Sequence, residues 1–346
     1  MEAKEYIKSI KGNFAIKDLK SVFDKFKNLN VLVIGDIIID IYTFVHPKGR
    51  AIKDPILSTG FEKEEKYAGG ILAICNHLSS YVHKIKLVTI IGDKPPFSEF
   101  VKKSLASNIE LKTFLKKNSP TNIKKRYIDN YRNHKLFKVE YINDEPLEKG
   151  LSNQIKDYIS KEAKNYDLVI VGDFGHGFLN DEIRKAIEKN AKFLCINVQS
   201  NSSNMGYNYV NHYRKPDYII MNEEEMRLPL MKRFEELDDV IKTFWKKFKF
   251  KRFMVTTGKK GGVYCNNGSM HEAPAFAKNV VDTVGAGDAV FAVSTLLAYN
   301  NVTDEIFPFI ANCAGAVKSE YIGNKESVSK EKLLNFIKEL YENGME

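Results

Sequence analysis

Short apolar, β-branched runs recur along the chain with helical stretches between them, at residues 31–34, 86–91, 168–171, 193–198, 218–221 and 253–256. A strand that is apolar at every position has no solvent face. Runs of this kind therefore predict a mainly parallel sheet covered by helices, an α/β fold. Polar or glycine residues punctuate the ends of the runs: Gly35-Asp36, Gly92-Asp93, Gly172-Asp173, Asn197, Asn222 and Thr257-Gly258. Open α/β sheets bind their ligands beyond the carboxyl ends of the strands, so these are the positions to search.

Two segments break the alternation. Residues 41–68 carry extended stretches with Pro47 and Pro55, and residues 124–141 read as a hairpin turning near 130–134. Together, as 41–68 and 124–145, they predict a small β lid inserted in a main domain of residues 31–340. The exposed edges of such a lid offer a place for two subunits to pair as a homodimer. Residues 1–30 read as a helical extension that carries no identifiable chemistry.

Composition limits the function classes. The net charge of +9 comes from lysines spread along all 346 residues, including the patch 246–252, and not from one basic arm. That distribution fits a solvated surface, and no nucleic-acid recognition motif accompanies it. Cys75, Cys195, Cys265 and Cys313 are far apart, with no metal-ligand spacing, and read as reduced residues of a cytoplasmic protein. No apolar run reaches the roughly eighteen residues that span a bilayer, so no membrane partner is expected.

The strongest chemical signal is Val281-Asp282-Thr283-Val284-Gly285-Ala286-Gly287-Asp288, followed by the nearly all-apolar stretch 289–299. It predicts a strand feeding a glycine-rich turn into the N-terminus of a buried helix. Glycines let the backbone approach a ligand, and the first helical amides point unpaired N–H groups at it, which makes an anion site. A carboxylate at the end of such a loop can take the proton of an attacking hydroxyl while the amides of Gly285, Ala286 and Gly287 hold the charge on a transferred phosphoryl group. The loop is not a P-loop, since no GxxxxGK[ST] is present. The alternative is a plain tight turn with Asp288 as helix N-cap.

The motif resembles the Asp-Thr-x-Gly-Ala-Gly-Asp signature of the PfkB (ribokinase-like) carbohydrate kinases, and the resemblance runs from about residue 30 to about residue 329. It implies a ribokinase-like three-layer α/β/α fold with a small β lid. It also implies an ATP-dependent sugar kinase with Asp288 as catalytic base and 285–287 as anion hole, with Asp282 and Thr283 on the nucleotide side. ATP and Mg²⁺ are the implied cofactors, and a monovalent cation such as K⁺ is compatible with them. Asn222-Glu223-Glu224-Glu225 resembles the family's Asn-x-x-Glu, with Asn222 and Glu225 acting on magnesium, often through water; taken alone it is a helix start. Thr256, Gly258 and Gly261 match the Thr-x-Gly-x-x-Gly turn of the ATP site, and Asn312 falls beside the adenine position, where a buried helical asparagine bonded to backbone is the other reading.

On the acceptor side, Gly35-Asp36-Ile37-Ile38-Ile39-Asp40 resembles the family's Gly-Asp-x-x-x-Asp, whose carboxylates at Asp36 and Asp40 would accept bonds from sugar hydroxyls. Gly69-Gly70 resembles the glycine pair on which a sugar lies. Within the family, 33–40, 49–55, Lys125-Arg126-Tyr127 and Gly172-Asp173-Phe174 are similar to heptose-phosphate kinases of lipopolysaccharide synthesis, which adds Arg126 and Asp173 to the acceptor side and makes a heptose 7-phosphate, phosphorylated at O1, a candidate acceptor. Three departures point to an altered acceptor: apolar 71–74 after the glycine pair, Asn197-Val198-Gln199 in place of Asp-Pro-Lys, and His176 in place of lysine. None of the seven histidines forms the HxGH of the nucleotidyltransferase often fused to these kinases, so kinase chemistry alone is expected. The rival readings are a non-catalytic nucleotide-binding regulator on the same fold, a kinase for ribose, fructose or a nucleoside, and a basic nucleic-acid-binding module.

Overall fold

In the first strand, Val31 and Val33 are buried in one hydrophobic core while Leu32 and Ile34 are buried in another. Successive strand side chains point to opposite faces, so this partition requires cover on both sides. The computed structural model describes residues 2–95 and 97–344. Its strands are β1 (Asn30–Gly35), β2 (Ile37–Arg50), β3 (Leu57–Gly70), β4 (Lys84–Gly92), β5 (Ile109–Lys116), β6 (Ile123–Asp129), β7 (His134–Tyr141), β8 (Leu168–Asp173), β9 (Leu194–Val198), β10 (Tyr218–Asn222), β11 (Arg252–Thr256), β12 (Gly262–Asn266) and β13 (Ser269–Ala273).

Nine of them form one sheet in the order β13-β12-β11-β10-β9-β8-β1-β4-β5. The strands from β11 to β5 run parallel, and only the β12–β13 hairpin is antiparallel to its neighbours. That hairpin was not anticipated, although Asn267-Gly268 between its strands, both at positive φ, is a recognised signal for a two-residue turn. One face packs against helices Ile71–Leu78, Ala286–Tyr299, Phe307–Ser319 and Lys330–Asn343, and the other against Lys149–Glu162, Asp181–Asn190 and Leu237–Phe248. The result is three layers, α/β/α. Residues 3–13 and 16–24 are helical and join the first core through Tyr6, Ile7, Ile10, Leu19 and Phe23.

A second sheet has the order β3-β2-β6-β7. Here β2 and β3 pair antiparallel as long strands, β6 adds parallel to β2, and β7 turns back on β6. Pro47 falls inside β2 at a shift of register between Pro47 and Gly49, where a missing N–H is tolerated. Because a single residue, Asp36, separates β1 from β2, the small sheet starts directly at the carboxyl end of the large one.

The expected strand ahead of the glycine loop does not form. After β13 ends at Ala273 the chain is irregular up to Gly285, and Val280 and Val281 are exposed. This segment is held instead by Val281 and Asp282 N–H donating to Ser319 O at 2.8 and 3.2 Å. The apolar stretch after it is the helix Ala286–Tyr299, buried at every residue from Asp288 to Ala298, because it lies between the sheet and two other helices.

Candidate active site

A cavity of about 290 Å³ opens between the carboxyl ends of β9, β10 and β11 and the inner face of the small sheet. The loop before the Ala286–Tyr299 helix closes one side with Val284, Gly285, Gly287 and Asp288, and Ile38, Asp40, Lys124 and Arg126 of the small sheet close the opposite side. The strand ends supply Asn197, Asn222 and Thr256 between them.

Gly285 is the residue that caps the helix, at φ +84°, and a side chain there would strike Asn324. Only glycine fits both constraints. Asp288 is thus the third residue of the helix and not its N-cap. The i→i−4 ladder begins with Ala289 N–H donating to Gly285 O at 3.1 Å, so the Gly287 and Asp288 amides precede it. Ala286 N–H, expected in the anion hole, donates back to Thr283 O at 3.2 Å. The tight turn that sets Gly285 and Gly287 in the cavity wall spends that amide on the Thr283 carbonyl, and Thr283 itself does not line the cavity.

Burial pushes the Asp288 carboxyl up to about 7, the negative charge of Asp40 adds to the shift, and a hydrogen bond from Gln199 opposes it. Gln199 Nε2 donates to Asp288 Oδ1 at 3.3 Å and to Asn197 Oδ1 at 2.8 Å. The Asn197-Val198-Gln199 sequence thus places an amide on Asp288, a contact that its departure from the family pattern alone could not reveal. A polar residue just after β9 was the available signal.

On the acceptor side, Asp40 accepts a short hydrogen bond from Arg126, whose guanidinium also lies over the Tyr42 ring, 5.6 Å from its centroid. Gly69 pairs with Ile38 across β2–β3, and any side chain at Gly69 would meet the nearby Asp40 carboxylate. Gly70 lines the cavity with Lys124 and Phe174. The basic cluster expected on the lid divides by strand alternation: Lys124 and Arg126 face the cavity, Lys125 points the other way to Glu64 at 2.8 Å, and Arg50 and Lys53 lie exposed at the far end of the hairpin.

Asp36 and Asp173 do not reach the cavity. Asp173 accepts from Arg184 Nε at 2.9 Å and Tyr213 Oη at 3.0 Å, so its carboxylate is committed to the wall behind β8. Asp36 is fully buried, with the His176 N–H near Oδ2 at 3.5 Å; burial first, then repulsion from Asp173, pushes its carboxyl up to about 7 against backbone bonds from His176 and Phe174. His176 is itself buried, and burial pushes its ring down to about 3, with Lys124 and Lys138 adding to the effect. It is a neutral residue of the wall.

On the nucleotide side, Asn222 and Glu225 form a complete capping box. Glu225 N–H donates to Asn222 Oδ1 at 2.8 Å and Asn222 N–H to Glu225 Oε2 at 2.9 Å, and Ser200 N–H reaches Glu225 Oε1 at 3.2 Å. The helix-start reading of this cluster and its place in the cavity wall are both realised. Burial pushes the Glu225 carboxyl up to about 7 against those backbone bonds. Among the described residues no cluster of acidic, histidine or cysteine side chains forms a metal cage. Gly258 and Gly261 form the turn after β11, outside the cavity that Thr256 lines. Asn312 donates to Ala273 O at 2.8 Å and Pro274 O at 3.1 Å, a buried asparagine bonded to backbone. Among the described residues no helix is long and apolar enough to cross a membrane.

Comparisons with known proteins bear on the fold and the family. Residues 28–330 match the model of the pfkB family carbohydrate kinases. The bifunctional protein HldE of Helicobacter pylori (strain G27) is 26% identical over 295 residues, covering 83% of this chain and 62% of HldE. HldE of Campylobacter jejuni (strain RM1221) is 27% identical over 313 residues, covering 88% and 64%. The chain therefore spans less than two thirds of the length of these curated relatives. Among solved structures, phosphofructokinase-2 from Escherichia coli in complex with potassium superposes with a TM-score of 0.70 at 16% identity, covering 91% of this chain and 99% of that one. Arabidopsis thaliana ribokinase complexed with ribose and ATP gives 0.64 at 17% identity, covering 90% and 99%. The fold is ribokinase-like, and the chain belongs to the pfkB family of carbohydrate kinases.

Proposed function

We propose that this sugar kinase transfers the γ-phosphate of ATP to a hydroxyl of a sugar or sugar phosphate, with Asp288 as general base. The observation that carries the reading is that one cavity wall holds Asp288 beside the loop amides of Gly285 and Gly287, while the opposite wall holds Asp40, Lys124 and Arg126. An acceptor hydroxyl between the two walls would lose its proton to Asp288 as its oxygen attacks the γ-phosphorus. The Gly285 and Gly287 amides would hold the charge on the transferred group, ADP leaves, and the proton stays on Asp288 until product release. A carboxyl lifted toward neutrality by burial is a better base than an ordinary exposed aspartate.

Mg²⁺ would arrive with the ATP phosphates, and Glu225 with Asn222 fits a hold on its water shell, since both side chains are already oriented by backbone bonds. Lys124 and Arg126 support a phosphorylated acceptor, because both cations line the cavity and neither fits an apolar ligand. A heptose 7-phosphate, phosphorylated at O1, is the specific candidate. Dimerisation through the small sheet remains part of the proposal, with the exposed β3 and β7 edges as its basis.

The test is ATP consumption against a panel of sugars, sugar phosphates and nucleosides, with RNA and DNA as controls, for wild type and Asp288→Asn. Turnover of a sugar phosphate, reduced roughly a hundred- to ten-thousandfold in the variant with ATP binding retained, is the expected result. No turnover of any acceptor despite tight ATP binding would favour the regulatory reading.

A further inference from the structure

Directly behind the glycine loop, on the side away from the cavity, lies a lysine that neither the motif nor the fold class points to. Lys318, in the helix Phe307–Ser319, has a relative exposure of 0%, and among the described residues its ammonium donates no hydrogen bond. Its Cε lies 3.2 Å from the position a Cβ on Gly285 would take, so the side chain is laid against the back of the loop. A buried ammonium without a partner is costly, and such a group persists where something offsets the cost.

The surroundings show what the charge faces. The Tyr321 ring is 4.9 Å from the Lys318 Nζ. His77 faces it as a neutral ring, since its Nδ1 accepts from Val328 N–H at 2.9 Å and burial pushes it down to about 3. The carboxylates that attract the ammonium are Asp282, Asp288 and Asp40, all on the loop and cavity side. The positive charge is therefore directed through the loop toward the space where phosphoryl oxygens would gather.

We propose that Lys318 is the resident cation of the anion loop, adding a fixed positive charge behind Gly285 that strengthens polyphosphate binding and the hold on the transferred phosphoryl group. The proposal deepens the kinase reading and rests on it. Lys318 does not line the cavity, so it acts through the loop as a positioning residue and not by contact. It also bears on monovalent cations, one of which is present in the phosphofructokinase-2 structure. A free cation drawn to the back of this loop would meet two ammonium groups, Lys318 and the Lys135 bonded to Asp282 at 2.6 Å, and would have to compete with both for the carboxylates of Asp282, Asp288 and Asp40. The residues here do not fit a K⁺ ion at that place, and the lysine supplies the charge instead.

The test compares wild type, Lys318→Met and Lys318→Ala by calorimetric titration with inorganic tripolyphosphate, in choline chloride buffer. Methionine keeps the length of the stem and removes the charge, and melting curves check the fold. Tripolyphosphate should bind roughly ten- to a hundredfold more weakly to Lys318→Met, the scale of one charge acting across a few ångströms of protein. Methylammonium should restore binding to Lys318→Ala but not to Lys318→Met, where the stem fills the space; a purely structural lysine would show no such rescue. Replacing choline by KCl should leave wild-type binding unchanged. Equal tripolyphosphate affinity in wild type and Lys318→Met, or a several-fold gain on adding KCl to wild type, overturns the proposal while leaving the kinase reading intact. A wild type that binds neither tripolyphosphate nor ATP overturns both.

Discussion

Lys135 of β7 places its Nζ 2.6 Å from Oδ1 of Asp282, at the start of the glycine loop. The other oxygen of the same carboxylate accepts from Tyr42 Oη of β2 at 2.7 Å and from Gly323 N–H at 2.9 Å. One aspartate thus ties two strands of the small sheet, the anion loop and the segment after the Phe307–Ser319 helix to a single point. Burial alone would raise its carboxyl, but Lys135, Gly323 and Tyr42 outweigh that and hold it below the usual carboxylate range.

Lys135→Met should therefore loosen the small sheet from the loop. A carboxylate with a lowered native pKa contributes stability that is full above its unfolded value and lost as pH falls through the native one. The variant should melt a few degrees below wild type at pH 7, and the gap should close below about pH 4. The loss is limited because Lys135 is partly exposed and its ion pair is screened. Thermal melts of both proteins between pH 3 and pH 8 check this; a gap independent of pH would mean that packing, not charge, is what the lysine provides.

The acid limb of activity should report on Asp288. As a base it must be ionised, so kcat/KM is expected to rise with pH through about 7 and level off above it. Asp40→Asn removes a repelling charge and should move the limb down, whereas Gln199→Met removes a bond that favours the carboxylate and should move it up, each by roughly half a unit or more. Profiles taken at saturating Mg²⁺ keep the Glu225 carboxyl from contributing. Two variants that shift the limb in the same direction would contradict the assignment.

Arg126 should matter most for a phosphorylated acceptor. Losing a hydrogen bond to a charged group at Arg126→Ala is expected to raise the KM of a sugar phosphate roughly ten- to a hundredfold. The corresponding unphosphorylated sugar, if turned over at all, should be affected much less. Equal effects on both acceptors would assign Arg126 to orienting Asp40 alone.

Glu225→Gln should raise the magnesium concentration needed for half-maximal rate, by roughly tenfold, the usual scale for an outer-sphere partner of a metal. Gln keeps the capping bond, since its carbonyl can still accept from Asn222 N–H, but its NH2 cannot accept from Ser200 N–H, so the melting temperature should fall modestly while the fold is retained. An unchanged magnesium titration would leave Glu225 as a helix cap only.

Some of this architecture was determined by the sequence alone. Runs such as 31–34 and 168–171 read as strands covered on both faces, and a longer apolar stretch such as 289–299 as a buried helix, because run length, β-branching and flanking glycines are local properties. The glycine loop and its aspartate were legible for the same reason, since spacing and backbone freedom are written residue by residue. What only the tertiary structure decided is which polar residues at the strand ends point into the cavity. Asp40 faces it, while Asp36 is sealed beneath and Asp173 is turned to Arg184. Gln199 meets Asp288 across 89 residues of chain, and Lys318 comes to lie behind Gly285 only through the packing of its helix. Such contacts depend on how distant segments pack, which no local pattern encodes, and in this protein they set the charge around the proposed base and the anion loop.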